Sequence, residues 1–296
     1  MKRPSPLLLV LAVFATGQFS LFFWSAITRN TGELRVTFLD VGQGDSCVIQ
    51  SPSGHVLLID TGPIEQESGY DAGRSIVAPY MEYEGIEHID AILLTHPHSD
   101  HIGGAAYLIN RFSTGFVLDN GQDFGSPEEA AYKKAAAQRH VAVYTARPGQ
   151  KIDFGDGAVL QILAPSREER AGPPNNASIA ARLTYGRTSF LFMGDAEAPE
   201  ETDLLSSRWQ LGCTVLKAGH HGSDTSTTPA FLAAAHPRIA VVSVGAHNVY
   251  GHPSPLVMQR LRAAVPVVYR TDQNGAVICI SNGSTVTSRC MALPAR

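Results

Sequence analysis

Between residues 34 and 289 the chain is built from short apolar runs separated by polar turns. Runs suited to strands occupy 34–39, 46–51, 55–60, 89–95, 115–120, 141–146, 158–163, 178–185 and 188–194, then 214–219, 239–245, 265–271, 276–281 and 284–289. Turn-forming stretches such as SPSG, FGDG, YGR and SNG stand between many of them. Helical stretches are fewer and begin with clear signals. Ser126-Pro127-Glu128-Glu129 reads as a capping box with proline at the first helical position, opening a helix over 127–140. Thr228-Pro229 and Ser254-Pro255 open two more. Another helix is expected from about Asp71 to Glu84, stopping at Gly85, and one from Ile102 to about Arg111. Many strands are apolar on both faces, as they are when a second sheet covers one side and helices the other. The pattern predicts an α/β (α+β) fold of two sheets packed together with helices outside.

Composition changes this picture at the N-terminus. The chain has 296 residues, 44% apolar and 17% charged, enough for one large domain or two small ones. Leu7 to Ile27 carries no charge and is long enough to cross a bilayer of about 30 Å as a helix. Lys2 and Arg3 precede it, which predicts a cytoplasmic N-terminus with the rest exported. Two readings of 1–30 compete. One is a cleaved signal peptide, with small-residue sites near Gly17 or Ala26, giving a secreted or periplasmic protein. The other is an uncleaved signal anchor that uses the membrane as its partner. The long run and the interfacial Phe22, Phe23 and Trp24 favour the anchor. Residues 31–296 then form one exported domain.

Net charge is −4, with a pI near 6.2. Such a chain has no global attraction for nucleic acid, so any such binding needs a local patch or a metal ion's own charge. The four cysteines show no CxxC spacing, which excludes a structural zinc site of that kind. In an exported domain Cys279 and Cys290 could pair; Cys47 and Cys213 read as ordinary buried residues.

The candidate chemistry is concentrated in LLTHPHSDHIGG, residues 93–104. His96, His98, Asp100 and His101 fall in a strand-to-helix turn, where imidazole and carboxylate can converge on divalent ions. His96 and His98 suit one ion; Asp100 and His101 face a second position. Gly103 and Gly104 would let the following helix approach closely.

THPHSDHIGG resembles the motif of the metallo-β-lactamase superfamily. Four further stretches resemble, more narrowly, the nuclease-like domain at the C-terminus of ComEC-type competence proteins. They are FLDVGQGDSCVI (38–49), LLIDTG (57–62), FLFMGD (190–195) with VLKAGHHGSDTS (215–226), and SVGAHNVYGHPS (243–254) with VYRTDQNGAV (268–277). The resemblance covers about residues 34–285. It implies an αββα four-layer sandwich and two divalent metal ions, zinc or manganese. It makes Asp195 the carboxylate bridging both ions and His252 the last ligand, with one of His220 and His221 a ligand or the general acid. Asp100 is a ligand and a catalytic candidate, and Lys217 a catalytic candidate that could neutralise a phosphate. Asn176, Ser178, Ser223, Asn248 and Tyr250 are substrate-side candidates. Asp60 would hold a ligand histidine by its other ring nitrogen, and Asp40 and Asp45 flank a loop that could approach the site. Most superfamily members carry another histidine where this chain reads PPNNASIAARL, with Asn175 and Asn176. One ion is thus left with fewer protein ligands. ComEC-type domains often carry aspartate at the position of His98, and histidine there makes the first site more zinc-like.

The function expected is hydrolysis of a phosphodiester, DNA or another exported polymer, by a metal-activated water. Cleavage of a lactone, thioester or β-lactam by the same water is the alternative within hydrolases. A metal-bound binding module is the alternative outside them. One apolar segment is not a multi-span translocator, so DNA uptake by this chain alone is not expected. A C-terminal reporter that is active only after export should be active in cells. A silent export reporter, with a cytoplasmic reporter active at the same position, reverses the topology.

Overall fold

The computed structural model describes residues 32–65 and 67–291. The segment 1–30 lies outside the described residues, as does the expectation placed on it. Among the described residues no helix is long and apolar enough to cross a membrane.

The strands in chain order are β1 (Leu34–Phe38), β2 (Cys47–Gln50), β3 (Val56–Ile59), β4 (Ile64–Glu65), β5 (Tyr70–Asp71), β6 (His88–Leu93), β7 (Ser113–Asp119), β8 (Ala142–Thr145) and β9 (Lys151–Asp153). They continue as β10 (Ala158–Ile162), β11 (Ala181–Tyr185), β12 (Thr188–Phe192), β13 (Val215–Lys217), β14 (Ile239–Val242), β15 (Val267–Arg270), β16 (Ala276–Ser281) and β17 (Val286–Met291). The helices are α1 (Ala78–Tyr83), entered through a π-helical turn at Gly73–Val77, α2 (Ser99–Ile102), α3 (Ala105–Arg111), α4 (Pro127–Gln138), α5 (Ala198–Ser206), α6 (Pro229–Ala235), α7 (Pro255–Ala264) and α8 (Thr271–Asn274).

One sheet runs β17-β16-β1-β2-β3-β6-β7-β8 and the other β15-β14-β13-β12-β11-β10-β9. Their alternation explains the apolar runs. Leu34, Val36 and Phe38 of β1 meet Phe190 and Phe192 of β12 between the sheets. The intervening Leu191, with Leu216 of β13 and Val242 of β14, turns outward to α6 and α7. Val48, Leu58 and Ile92 of the first sheet turn outward to α1, α3 and α4. Four layers result, αββα. The central strands, such as β3 and β12 to β14, are buried on both faces, so unbroken hydrophobicity there reflects two covered surfaces.

The site follows from this topology. β3, β6 and β7 are parallel in one sheet, and β12, β13 and β14 are parallel in the other. Loops leaving their carboxyl ends collect at one rim, the usual ligand edge of parallel sheets.

Several expectations change. The helix predicted from Ile102 breaks into α2 and α3 at Gly103 and Gly104. A Cβ on Gly103 would lie 2.3 Å from Ile64 N, and one on Gly104 2.6 Å from Thr61 O. The close approach is to the 61–64 backbone, which docks the metal motif against the end of β3. Cys279 faces Ser288 and Cys290 faces Val277 across the β16–β17 ladder. They are diagonal neighbours, too far apart for a bridge without backbone movement, and all four cysteines are free thiols. Helix α5 was not expected, although Pro199 and two glutamates stand in its first turn, because Glu200 and Glu201 occupy its buried face and blur the apolar pattern. Glu201 accepts from Thr227 N and Thr228 N, satisfying the start of α6.

Helix α4 begins as its sequence suggests. Ser126 Oγ accepts from Glu129 N at 3.1 Å, and Glu129 returns to accept from Phe124 N and Gly125 N. Replacing Ser126 by alanine should cost about 1 kcal/mol. Phe190→Ala, at the middle of the inter-sheet core, should cost about 3–5 kcal/mol. Denaturant unfolding checks both, with the Phe190 variant losing clearly more.

A candidate two-metal centre at the sheet rim

The tautomers of three histidines follow from what lies behind them. His101 Nδ1 faces Asp60 Oδ2 at 2.8 Å, and a carboxylate can only accept. His221 Nδ1 faces the Ser243 carbonyl at 2.9 Å, which also only accepts. Thr95 Oγ1 gives its proton to Asp60 Oδ2, so it accepts from His96 Nδ1 at 3.2 Å. When neutral, all three rings therefore turn an Nε2 lone pair toward the same space.

That space is ringed by carboxylates. Asp195, after β12, puts Oδ1 3.2 Å from His101 Nε2 and Oδ2 3.4 Å from His221 Nε2. Asp100 Oδ2 lies 3.2 Å from His221 Nε2 and 3.9 Å from His101 Nε2. The fit to a cation is tested by unpartnered atoms. His101 Nε2, His221 Nε2 and Asp195 Oδ1 are buried and make no well-aligned hydrogen bond, only charge contacts with one another and with Asp100. Buried polar atoms are rarely left so, and three converging ones match a divalent ion's ligand set. Asp100, His101, Asp195 and His221 can hold one ion. A candidate second position is marked by His96 Nε2 and His98 Nδ1, 3.0 Å apart, with His96 Nε2 3.8 Å from Asp195 Oδ2.

Electrostatics agree with this division. Burial holds His96 and His98 below the usual imidazole range. Burial would do the same to His101 and His221, but Asp195 leads the carboxylates that raise both, His221 to about 10. Burial likewise works to raise Asp195, but His221 and His101 hold it well below the carboxylate range. Protons thus stand in for a cation, and metal loading must expel them.

The sequence matches the family described as the Metallo-beta-lactamase superfamily over residues 39–247. The chain belongs to the metallo-β-lactamase superfamily. It is 30% identical to the ComE operon protein 3 of Bacillus subtilis (strain 168) over 284 residues, 92% of this chain and 36% of that protein. It is 33% identical to the competence protein ComA of Neisseria gonorrhoeae over 246 residues, 83% of this chain and 32% of that protein. The chain thus spans about a third of the length of the curated relatives it matches. Among solved structures, the metallo-β-lactamase fold protein YhfI from Bacillus subtilis aligns with a TM-score of 0.53 at 13% identity, covering 86% of this chain and 99% of that one. The αββα architecture is the superfamily's, and its fold is that of a metal-dependent hydrolase.

Within the superfamily frame, several sequence-stated candidates sit elsewhere than expected. His221 stands in the cluster with Asp100, His101 and Asp195, whereas His252 lies farther out, its ring 5.5 Å from that of His220. His220 faces the cleft, with Nδ1 3.2 Å from Glu197 Oε1 and Nε2 3.8 Å from Asp195 Oδ2. Both histidines hold left-handed backbone, φ 47° and 51°, a strain that non-glycine residues keep where surroundings enforce it. Lys217 does not face the cleft. It is buried, paired to Asp45 and donating to the Gly194 carbonyl, so it cannot meet a phosphate there. Asn176 binds Glu197 through both ends of its amide. Ser178 is fully buried and accepts from Asp195 N at 3.0 Å. Ser223 is buried and bonds Thr225, and Asn248 holds the backbone of His252. Of the substrate-side candidates, Tyr250 lines the cleft of about 420 Å³ over the cluster, together with Asn175. Asp40 accepts from Gly42 N and borders a neighbouring groove.

Glu197 was missed as a site residue, and Asp45 was read only as flanking a loop that could approach the site. Asp45 is buried with Oδ2 3.8 Å from His101 Nδ1 and Oδ1 3.7 Å from His221 Nδ1. Its signal was the adjacent Gly44, where a Cβ would fall 2.3 Å from the Asp100 carbonyl oxygen. That glycine docks the 42–45 loop on the metal motif. Glu197, at the entrance to α5, had no signal beyond its proximity to Asp195.

Metal content discriminates between the two outer histidines. After loading and desalting, the protein should hold two divalent ions, His221→Ala one, and His252→Ala two, by elemental analysis. Loading in weak buffer should acidify the solution. Equal losses in both variants would place His252 among the ligands.

Proposed function

We propose that the chain is a two-metal phosphodiesterase that cleaves DNA or another phosphodiester polymer outside the cytoplasm. The observation that carries the reading is the convergence of buried His101 Nε2, His221 Nε2 and Asp195 Oδ1, with Asp195 and His221 lining an open cleft and His220 on its wall. The resemblance to ComEC-type nuclease-like domains supports the phosphodiester, and the apolar N-terminus supports the location.

When bound, two divalent ions, zinc or manganese, supply an activated water and a Lewis-acid surface for the reacting phosphate. The chain's own residues do the rest. Asp195 ties the two positions together, and Ser178 fixes its backbone. Asp60 and Ser243 hold His101 and His221 with Nε2 inward. Asn175 lines the cleft with its amide nitrogen 3.4 Å from His220 Nε2. His220 presents Nε2 to the cleft, while Glu197 accepts from its Nδ1–H and fixes the ring. Glu197 is itself held by Asn176 and by Thr225 Oγ1. His220 then protonates the leaving oxygen as the general acid.

A general acid matters most for a basic leaving group. His220→Ala should slow an alkyl phosphodiester about 100-fold or more and a nitrophenyl phosphodiester less than about tenfold. Both metals should remain. Loss of metal with equal slowing of both substrates would make His220 a ligand. A panel with single-stranded DNA, a lactone and a β-lactam sets the reaction class. Preference for either of the last two overturns the phosphodiester.

A further inference from the structure

A file of rings crosses the site. Phe124 lies 5.6 Å from His98, His98 4.7 Å from His96, and His96 4.1 Å from His101. His101 lies 5.3 Å from His221, which leads through His220 to His252 and Tyr250. The inner members surround Asp195. The two ends are different in kind. Phe124 is 50% exposed and Tyr250 67% exposed, yet each is braced on its inner side by a histidine, edge-on at His98 and stacked at His252. Both line the cleft. Phe124 comes from the turn between β7 and α4, pinned by Glu129, and Tyr250 from the loop between β14 and α7, pinned through Asn248.

A second observation concerns charge. Among the described residues, neither lysine nor arginine lines this cleft or the adjoining groove of about 800 Å³, whose walls include Glu65 and Asp272. A long polyanion gripped along its backbone needs cations in a row, and its affinity then falls steeply with salt. Here that grip is missing, and flat apolar surface stands at either end of the reacting region. Aromatic side chains in such positions bind nucleobases by stacking, whatever the sequence.

We propose that Phe124 and Tyr250 form a two-sided clamp for the flat rings flanking the scissile phosphate. The site then takes a short unpaired stretch of nucleic acid by its bases, not by its backbone. This rests on the phosphodiesterase reading above. It separates nucleic acid from ring-free phosphodiesters such as polyol phosphates.

The test compares the dinucleotide d(TpT), glycerophosphoglycerol and a 20-residue oligothymidylate, using the full chain. Turnover is measured on metal-loaded protein, and binding on chelator-treated protein by ligand-observed NMR. Phe124→Ala and Tyr250→Ala should each lower the preference for d(TpT) over glycerophosphoglycerol about tenfold, in kcat/KM and in binding alike. Tyr250→Phe should retain it. Metal content is checked in each variant, because Phe124 touches His98. The 20-mer should bind within about threefold of d(TpT), with a shallow salt dependence. An unchanged preference in both alanine variants overturns the clamp, as does affinity that climbs with length and collapses with salt. If loaded protein cleaves neither diester while the variants lose d(TpT) binding, the phosphodiesterase reading fails and the clamp stands. If d(TpT) binds neither form, the clamp fails.

Discussion

Asp45, Asp60, Asp100 and Asp195 reach one small region from four separate segments, and Asp45, Asp60 and Asp195 are almost wholly buried. Their mutual repulsion, with little water to screen it, is the constraint on which the rest of the rim depends. Positive charge must be built in beside them. Lys217 supplies one permanent unit beneath the cluster, paired to Asp45 and held well charged despite its burial. The remainder must come from protons on His101 and His221 or from divalent ions in their place. A lysine at the end of an apolar strand is thus explained by charge balance within the protein, without appeal to a substrate phosphate.

The same constraint accounts for the backbone around the site. Left-handed residues at Asp60, His220 and His221 aim side chains that a regular strand end would send apart. Close packing of Gly44 against Asp100, and of Gly103 and Gly104 against the 61–64 segment, brings loops to distances that a side chain would forbid. These contacts have a stability cost that the four-layer core can bear. The inter-sheet layer fixes the strand ends, the loops fix the ring nitrogens, and the ring nitrogens define where an ion can sit. The exposed rings at the cleft ends are outside this charge economy, which is why their role concerns what the site accepts.

Much was legible in the sequence because the signals were local. Fourteen apolar runs correspond to strands β1 to β3, β6 to β8 and β10 to β17, since period-two burial leaves its mark within five residues. Proline and hydroxyl pairs marked α4, α6 and α7, since a cap is satisfied by the next three residues. His96, His98, Asp100 and His101 announced a metal site because they share one turn. Helix α5 left a fainter trace, because its buried face carries glutamates whose partners belong to another loop.

What the tertiary structure alone decided is which distant groups meet. The sequence resemblance made His252 the last ligand and left His220 and His221 undivided; only the backbone twist after β13 puts His221 Nε2 against Asp195 and Asp100 and turns His220 to the cleft. Lys217 looked free to face a phosphate until Asp45, 172 positions earlier in the numbering, was found beside it. Residue type and spacing determine which chemistry a segment can offer. Direction, burial and the partner behind each ring are set by packing between segments, because a side chain's charge state and aim depend on neighbours that its own stretch of chain does not contain.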